Sequence, residues 1–141
     1  MDGQDVIQGR LKLLSEYVKD LRELQDVDLT TYTENKLIHR TVERTLHLAV
    51  EACLDIGQHI IVQEGFRTPE DNKDVFTVLG EEDILPRELL PDLINMARFR
   101  NLIVHNYAHI DNSVVFGILK RRLGDFDAFA QAIVRYLEAR R

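Results

Sequence analysis

Apolar residues recurring three and four apart, rather than at alternate positions, set what this chain can fold into. Ile7, Leu11, Leu14, Val18 and Leu21 alternate spacings of four and three, which puts them on one stripe of a helix over about residues 5–25. The polar, β-branched stretch Asp28-Leu29-Thr30-Thr31-Tyr32-Thr33 separates it from a longer pattern of Leu46, Val50, Cys53, Ile56, Gly57, Ile60 and Ile61. Gly65 stands where a left-handed C-cap would end that helix. Val75, Phe76, Val78 and Leu79 predict a short third helix, set in a region that Pro69, Gly80 and Glu81-Glu82-Asp83 mark as partly loop. Pro91 is tolerated in a first helical turn, so a fourth helix is expected from about Glu88 to Asn106, using Leu93, Met96, Ala97, Ile103 and Val104 as its apolar contacts. Asp111 or Asn112 then caps a last helix that turns Val115, Ile118, Leu119, Leu123, Phe126, Phe129, Ile133 and Leu137 inward, with Gly124 inside it at some cost.

No stretch alternates with period two, and the connections look short enough for antiparallel neighbours. The expected architecture is all-α, an up-and-down bundle of four main helices plus a short helix, in a single domain over residues 1–141. A chain of 141 residues with 45% hydrophobic content fills one core of that kind. Nowhere does it approach the roughly 20 apolar residues of a membrane helix, and no basic, apolar leader opens it, so a cytoplasmic protein away from the membrane is expected. The single cysteine, Cys53, excludes an intrachain disulfide or a multi-cysteine zinc site and reads as a small core residue.

The net charge of −6 provides no general attraction for a polyanion, so any nucleic-acid binding must be local. There is no Gly-rich phosphate loop, no nucleophile elbow and no HExxH pattern. His105 and His109 are four apart, but no carboxylate or thiolate at helical spacing completes a metal set, and neither metal nor other cofactor is expected. The Glu81–Asp83 run reads as solvated surface, and Lys120-Arg121-Arg122 spans too wide an arc to form one face, although it offers a local patch for RNA or an acidic partner.

The informative segment is Arg98-Phe99-Arg100-Asn101-Leu102-Ile103-Val104-His105-Asn106-Tyr107, where strongly polar groups alternate with residues that must be buried. At about 100° per residue, His105 lies one turn beyond Asn101 and about 140° round from Arg100, and a helix continued to Tyr107 brings the phenol within about 20° of the arginine. That set suits metal-free RNA cleavage by a ribose 2′-hydroxyl. Histidine carries protons near neutral pH, arginine meets the charge growing on the phosphate, and Asn101 orients one or the other. One histidine serves poorly as base and acid at once, which makes a two-fold dimer chemically attractive. On spacing alone a plainer reading holds: a helix end with a capped histidine, an arginine in a structural ion pair and a surface tyrosine.

Arg100, four residues, then His105-Asn106-Tyr107 resembles the R-x4-H-x-Y motif of the HepT-like toxins within the HEPN superfamily, with Asn101 in the polar slot. Glu43-Arg44 and the run Glu51-Ala52-Cys53-Leu54-Asp55-Ile56-Gly57-Gln58-His59-Ile60-Ile61 are similar to that family's long second helix. The resemblance implies a homodimeric HEPN ribonuclease, the toxin of a toxin–antitoxin system, with Arg100 and His105 catalytic in the dimer cleft. It also implies an MntA-type nucleotidyltransferase antitoxin that transfers AMP to Tyr107. The competing expectations are a non-catalytic helical module that binds a nucleotidyltransferase or a nucleotide, and a purely structural bundle.

Overall fold

The computed structural model describes residues 3–105 and 110–140, all of whose regular structure is helical. The helices are α1 (Gly3–Glu23), α2 (Leu29–Glu34), α3 (Lys36–Glu64), α4 (Asn72–Glu81), α5 (Leu90–His105), α6 (Asn112–Arg121) and α7 (Leu123–Ala139), with a 3₁₀ turn at Arg87–Leu89 leading into α5. The longest, α3, is the axis on which the others are assembled. It touches α1, α2, α4, α5, α6 and α7.

The stripe predicted for α1 is the one it buries, through Ile7, Leu14, Val18 and Leu21. From Ala49 to Ile61, α3 is buried on almost every side, at Ala49, Val50, Ala52, Cys53, Leu54, Ile56, Gly57, Ile60 and Ile61. A helix with so wide an apolar face must be enclosed by neighbours over most of its girth, and the strip through Asp55, Gln58 and His59 faces outward here. Its first half is different, with Lys36, Leu37, Arg40, Thr41 and Arg44 exposed. Gly65 closes the helix at φ 71°, the left-handed conformation that glycine adopts without steric cost. Gly57 permits a close approach of α4: a Cβ there would lie 2.5 Å from Val75 Cγ1 and 3.2 Å from Leu79 Cδ1. On the same helix, Phe76 meets Phe129 of α7 edge to face, their centroids 6.0 Å apart and their planes at 81°.

Two elements depart from the sequence reading. The stretch after Asp28 is a helix, α2, because the Asp28 carboxylate caps it by accepting from Thr31 N at 2.7 Å and because Tyr32 plugs the core with no exposed surface. The last helix is two. The chain leaves helical geometry at Arg122 (φ −118°, ψ 3°), one residue before α7 begins and two before Gly124, while the apolar stripe runs on across the break. The fourth helix has its expected place, with Pro91 in its first turn, and ends at His105; Asn106 lies outside the described residues.

Cys53 is buried as expected, and burial pushes its thiol well above the ordinary range. Arg67, just past α3, donates to both Asp74 and Glu81 and so clasps α4 at its two ends. The guanidinium holds the Asp74 carboxyl down to about 2. The Glu81–Asp83 run is at the exposed surface as expected, with Glu81 also paired to Arg67 there. No helix among the described residues is long and apolar enough to cross a membrane.

Candidate active site

The Arg100 side chain leaves α5 toward α3, where its Nε–H donates to Oε1 of Glu51. One of its terminal nitrogens, Nη1, donates to Asn101 Oδ1 at 3.2 Å. The pair is partly buried, with 20% of the Arg100 side chain and 31% of the Glu51 side chain exposed, so its Coulomb attraction is screened less than that of an open surface pair. Of the five N–H donors of a guanidinium, one on the Nε edge and one on Nη1 are engaged by described residues. The terminal end of the fork retains donors for an anion.

Glu51 has a second partner. His47, one turn earlier on α3, places Nε2 3.4 Å from the same Oε1, and its Nδ1 lies 3.3 Å from Nη1 of Arg44. An arginine only donates, so Nδ1 is the acceptor and the proton of a neutral ring sits on Nε2, facing the carboxylate. Arg44, His47 and Glu51 thus form a polar line along one face of α3 that ends on Arg100.

Beside this line is a hollow of about 370 Å³, bounded by Arg40, Glu43, Arg44 and His47 of α3 and by Ile103 and Val104 of α5. A more open depression along Lys36, Arg40 and Arg44 adjoins it. These three cations stand at i, i+4 and i+8, one face of the helix, and give a protein of net charge −6 the local positive surface that its composition lacks overall. Glu43 is buried at the wall of the hollow, and burial pushes its carboxyl above the ordinary range against the pull of His39 and Arg40. Val104, expected to face the core, is 42% exposed because it lies on the Arg100 side of α5, four residues on.

His105 is the last residue of α5 and is exposed to solvent. Arg100 and Asn101 are in direct contact, and His105 follows four residues after Asn101 at the end of the helix. Tyr107 and His109 lie outside the described residues. Among the described residues no group of three or more His, Cys, Asp or Glu side chains is placed to hold a metal ion. The basic run of α6 does not act as one patch. Lys120 donates to Gln25 O and covers the Phe116 ring, while Arg122 faces Asp92 at 3.6 Å.

Sequence reasoning assigned no role to Arg44, His47 or Glu51. The signal available was their spacing of three and four, which makes them a charged stripe on a helix whose following turns are buried. The ion pair of the plainer reading is present, and it ties Arg100 to this stripe.

A family model described as Ribonuclease HepT-like matches residues 14–133. The chain is 26% identical over 129 residues to the mRNA nuclease HepT of Shewanella oneidensis, covering 92% of this chain and 96% of that protein. It is 29% identical over 132 residues to the tRNA nuclease HepT of Aphanizomenon flos-aquae, covering 94% and 90%. Among solved structures, the tri-AMPylated Shewanella oneidensis HEPN toxin in complex with MNT antitoxin matches with a TM-score of 0.86 at 25% identity, over 96% of this chain and 99% of that one.

Proposed function

Because the chain belongs to the HepT-like ribonuclease family, we propose that it is the toxin of a toxin–antitoxin pair, a cytoplasmic endoribonuclease that cuts RNA without a metal ion and acts as a homodimer. The observation that carries this reading is the placement of Arg100: its guanidinium is anchored on the Nε side, beside a basic face of α3 and five residues before an exposed histidine. In the proposed reaction a ribose 2′-hydroxyl attacks the adjacent phosphorus and the 5′-oxygen leaves. His105 takes a proton from the attacking hydroxyl or delivers one to the leaving oxygen. Arg100 donates to the non-bridging oxygens as their charge grows. Two such sites facing one another across a two-fold axis supply the second proton carrier that one motif lacks.

Incubation of the purified protein with total cellular RNA tests this. The parent is expected to cut in the presence of a chelator and to leave 2′,3′-cyclic phosphate ends, while His105→Ala, folded to the same extent, loses at least about a hundredfold in rate. A requirement for a divalent cation, or an undiminished His105→Ala, counts against the mechanism. A parent that cuts no RNA yet binds a nucleotidyltransferase identifies a non-catalytic module instead.

The partner in this reading is an MntA-type nucleotidyltransferase antitoxin that transfers AMP from ATP to the Tyr107 hydroxyl, with pyrophosphate leaving. The relative solved as a tri-AMPylated toxin supports it. Each AMP brings about one negative charge and a bulky nucleoside to a position two residues beyond His105, where both oppose an incoming phosphate. Tyr107→Phe is expected to retain most of the cleavage activity and to escape neutralisation. Mass spectrometry after co-expression should find whole AMP units on Tyr107 of the parent. AMP carried elsewhere, or none in a neutralised toxin, would overturn this mode of control.

A further inference from the structure

We propose that Glu51 is the positioning residue for Arg100, held in its turn by His47 and Arg44; this rests on the ribonuclease reading above. Arginine has a long, flexible stem, and a charge that must meet a phosphate only in the transition state gains from being aimed beforehand. The Glu51 carboxylate fixes the Nε edge of Arg100, and Asn101 takes one hydrogen of Nη1, which leaves Nη2 unengaged by the described residues. A carboxylate that held Arg100 alone would be free to swing with it. Here His47 Nε2 also stands 3.4 Å from the same Oε1, within ion-pair distance, and His47 is oriented through Nδ1 by Arg44. Each ring nitrogen of His47 thereby has a protein group beside it, which suits a support and not a proton shuttle. Proton transfer stays with His105.

Charge and geometry make opposite predictions for the loss of Glu51, and that separates them. If Glu51 merely offset the charge of Arg100, Glu51→Ala would strengthen phosphate binding and leave turnover intact. A positioning role instead lowers kcat, by roughly 10- to 100-fold for a misplacement of about an ångström, with KM for a single-stranded RNA oligonucleotide unchanged or reduced. Glu51→Gln keeps an oxygen that accepts from Arg100 and faces His47, and it is expected to return kcat to within about threefold of the parent. His47→Ala should give a smaller loss, roughly 3- to 10-fold, since Glu51 then keeps its bond to Arg100 but loses its brace.

Parent-like kcat in Glu51→Ala would overturn the proposal. So would a Glu51→Gln variant as slow as Glu51→Ala, because the negative charge or a proton on the carboxylate would then be what matters. An independent measurement does not depend on RNA cleavage. The Arg100 Nε–H proton resonance should be shifted and protected from exchange in the parent and in Glu51→Gln, and should lose both properties in Glu51→Ala. An unchanged resonance in Glu51→Ala refutes the anchoring itself, whereas a parent that shows the resonance but cuts no RNA refutes only the ribonuclease reading.

Discussion

Arg100→Lys is expected to cost at least a hundredfold in RNA cleavage even though the positive charge is retained. In the proposed mechanism Arg100 has two tasks at once: one edge of its guanidinium is held by Glu51, and the other end is to meet the phosphate. An ammonium has three donors on one nitrogen and no second edge, so a lysine satisfied by Glu51 sits against that carboxylate and offers little to an oxyanion. Losing one preorganised donor to a transition-state oxyanion typically costs ~10²–10³ in rate. The expected result is therefore a folded protein, with a helical circular-dichroism spectrum and a thermal midpoint close to the parent's, that cuts RNA almost as slowly as Arg100→Ala. A lysine variant working at the parent's rate would show that the site needs only a nearby charge.

The largest effect on stability is expected at Phe76. It is fully buried and stacks edge to face on the equally buried Phe129, joining α4 to α7 across the core. Truncation of a buried phenylalanine to alanine typically costs ~3–5 kcal/mol through lost transfer energy and the cavity left behind, and the edge-to-face contact adds ~0.5–1.5 kcal/mol. Collapse into that cavity is restricted, because Val75 and Leu79 on the same helix already close on the Gly57 backbone of α3. Against a total stability of roughly 5–15 kcal/mol, Phe76→Ala should move the urea midpoint far down with little change in slope. A loss below about 1 kcal/mol would mean that α4 repacks freely.

The α1 stripe and the buried half of α3 were legible because each runs long enough for a 3.6-residue period to show, and Gly65 was legible because a helix end needs a residue comfortable at positive φ. The six residues of α2 are too few to show a period, and Thr30, Thr31 and Thr33 are weak helix formers; the Asp28 cap and the burial of Tyr32 outweigh them. The break at Arg122 was hidden for the opposite reason. Val115, Leu119, Leu123 and Phe126 keep helical spacing straight across it, so periodicity has nothing to report. In the site, Arg100, Asn101 and His105 were readable as one local motif. Glu51 lies 49 positions from Arg100 on another helix, and local spacing carries no information about which distant carboxylate will meet a given arginine.

The uneven character of α3 also bears on how such a chain can diverge over generations. The helix is continuous, yet most of the segment from Ala49 to Ile61 is packed against neighbours while the segment from Lys36 to Arg44 carries an exposed basic face. Substitutions in the enclosed segment are filtered by the need to fold at all, whichever RNA is cut. In the proposed reading, those at Lys36 and Arg40 on the exposed basic face can follow a change of target without renegotiating the architecture, whereas Arg44 is tied to the site through His47. Glu51 stands inside the enclosed segment but faces the site. A lineage that abandoned cleavage would be able to lose the basic face within a few neutral steps, and this carboxylate and its arginine would be among the last marks of the older trade to fade.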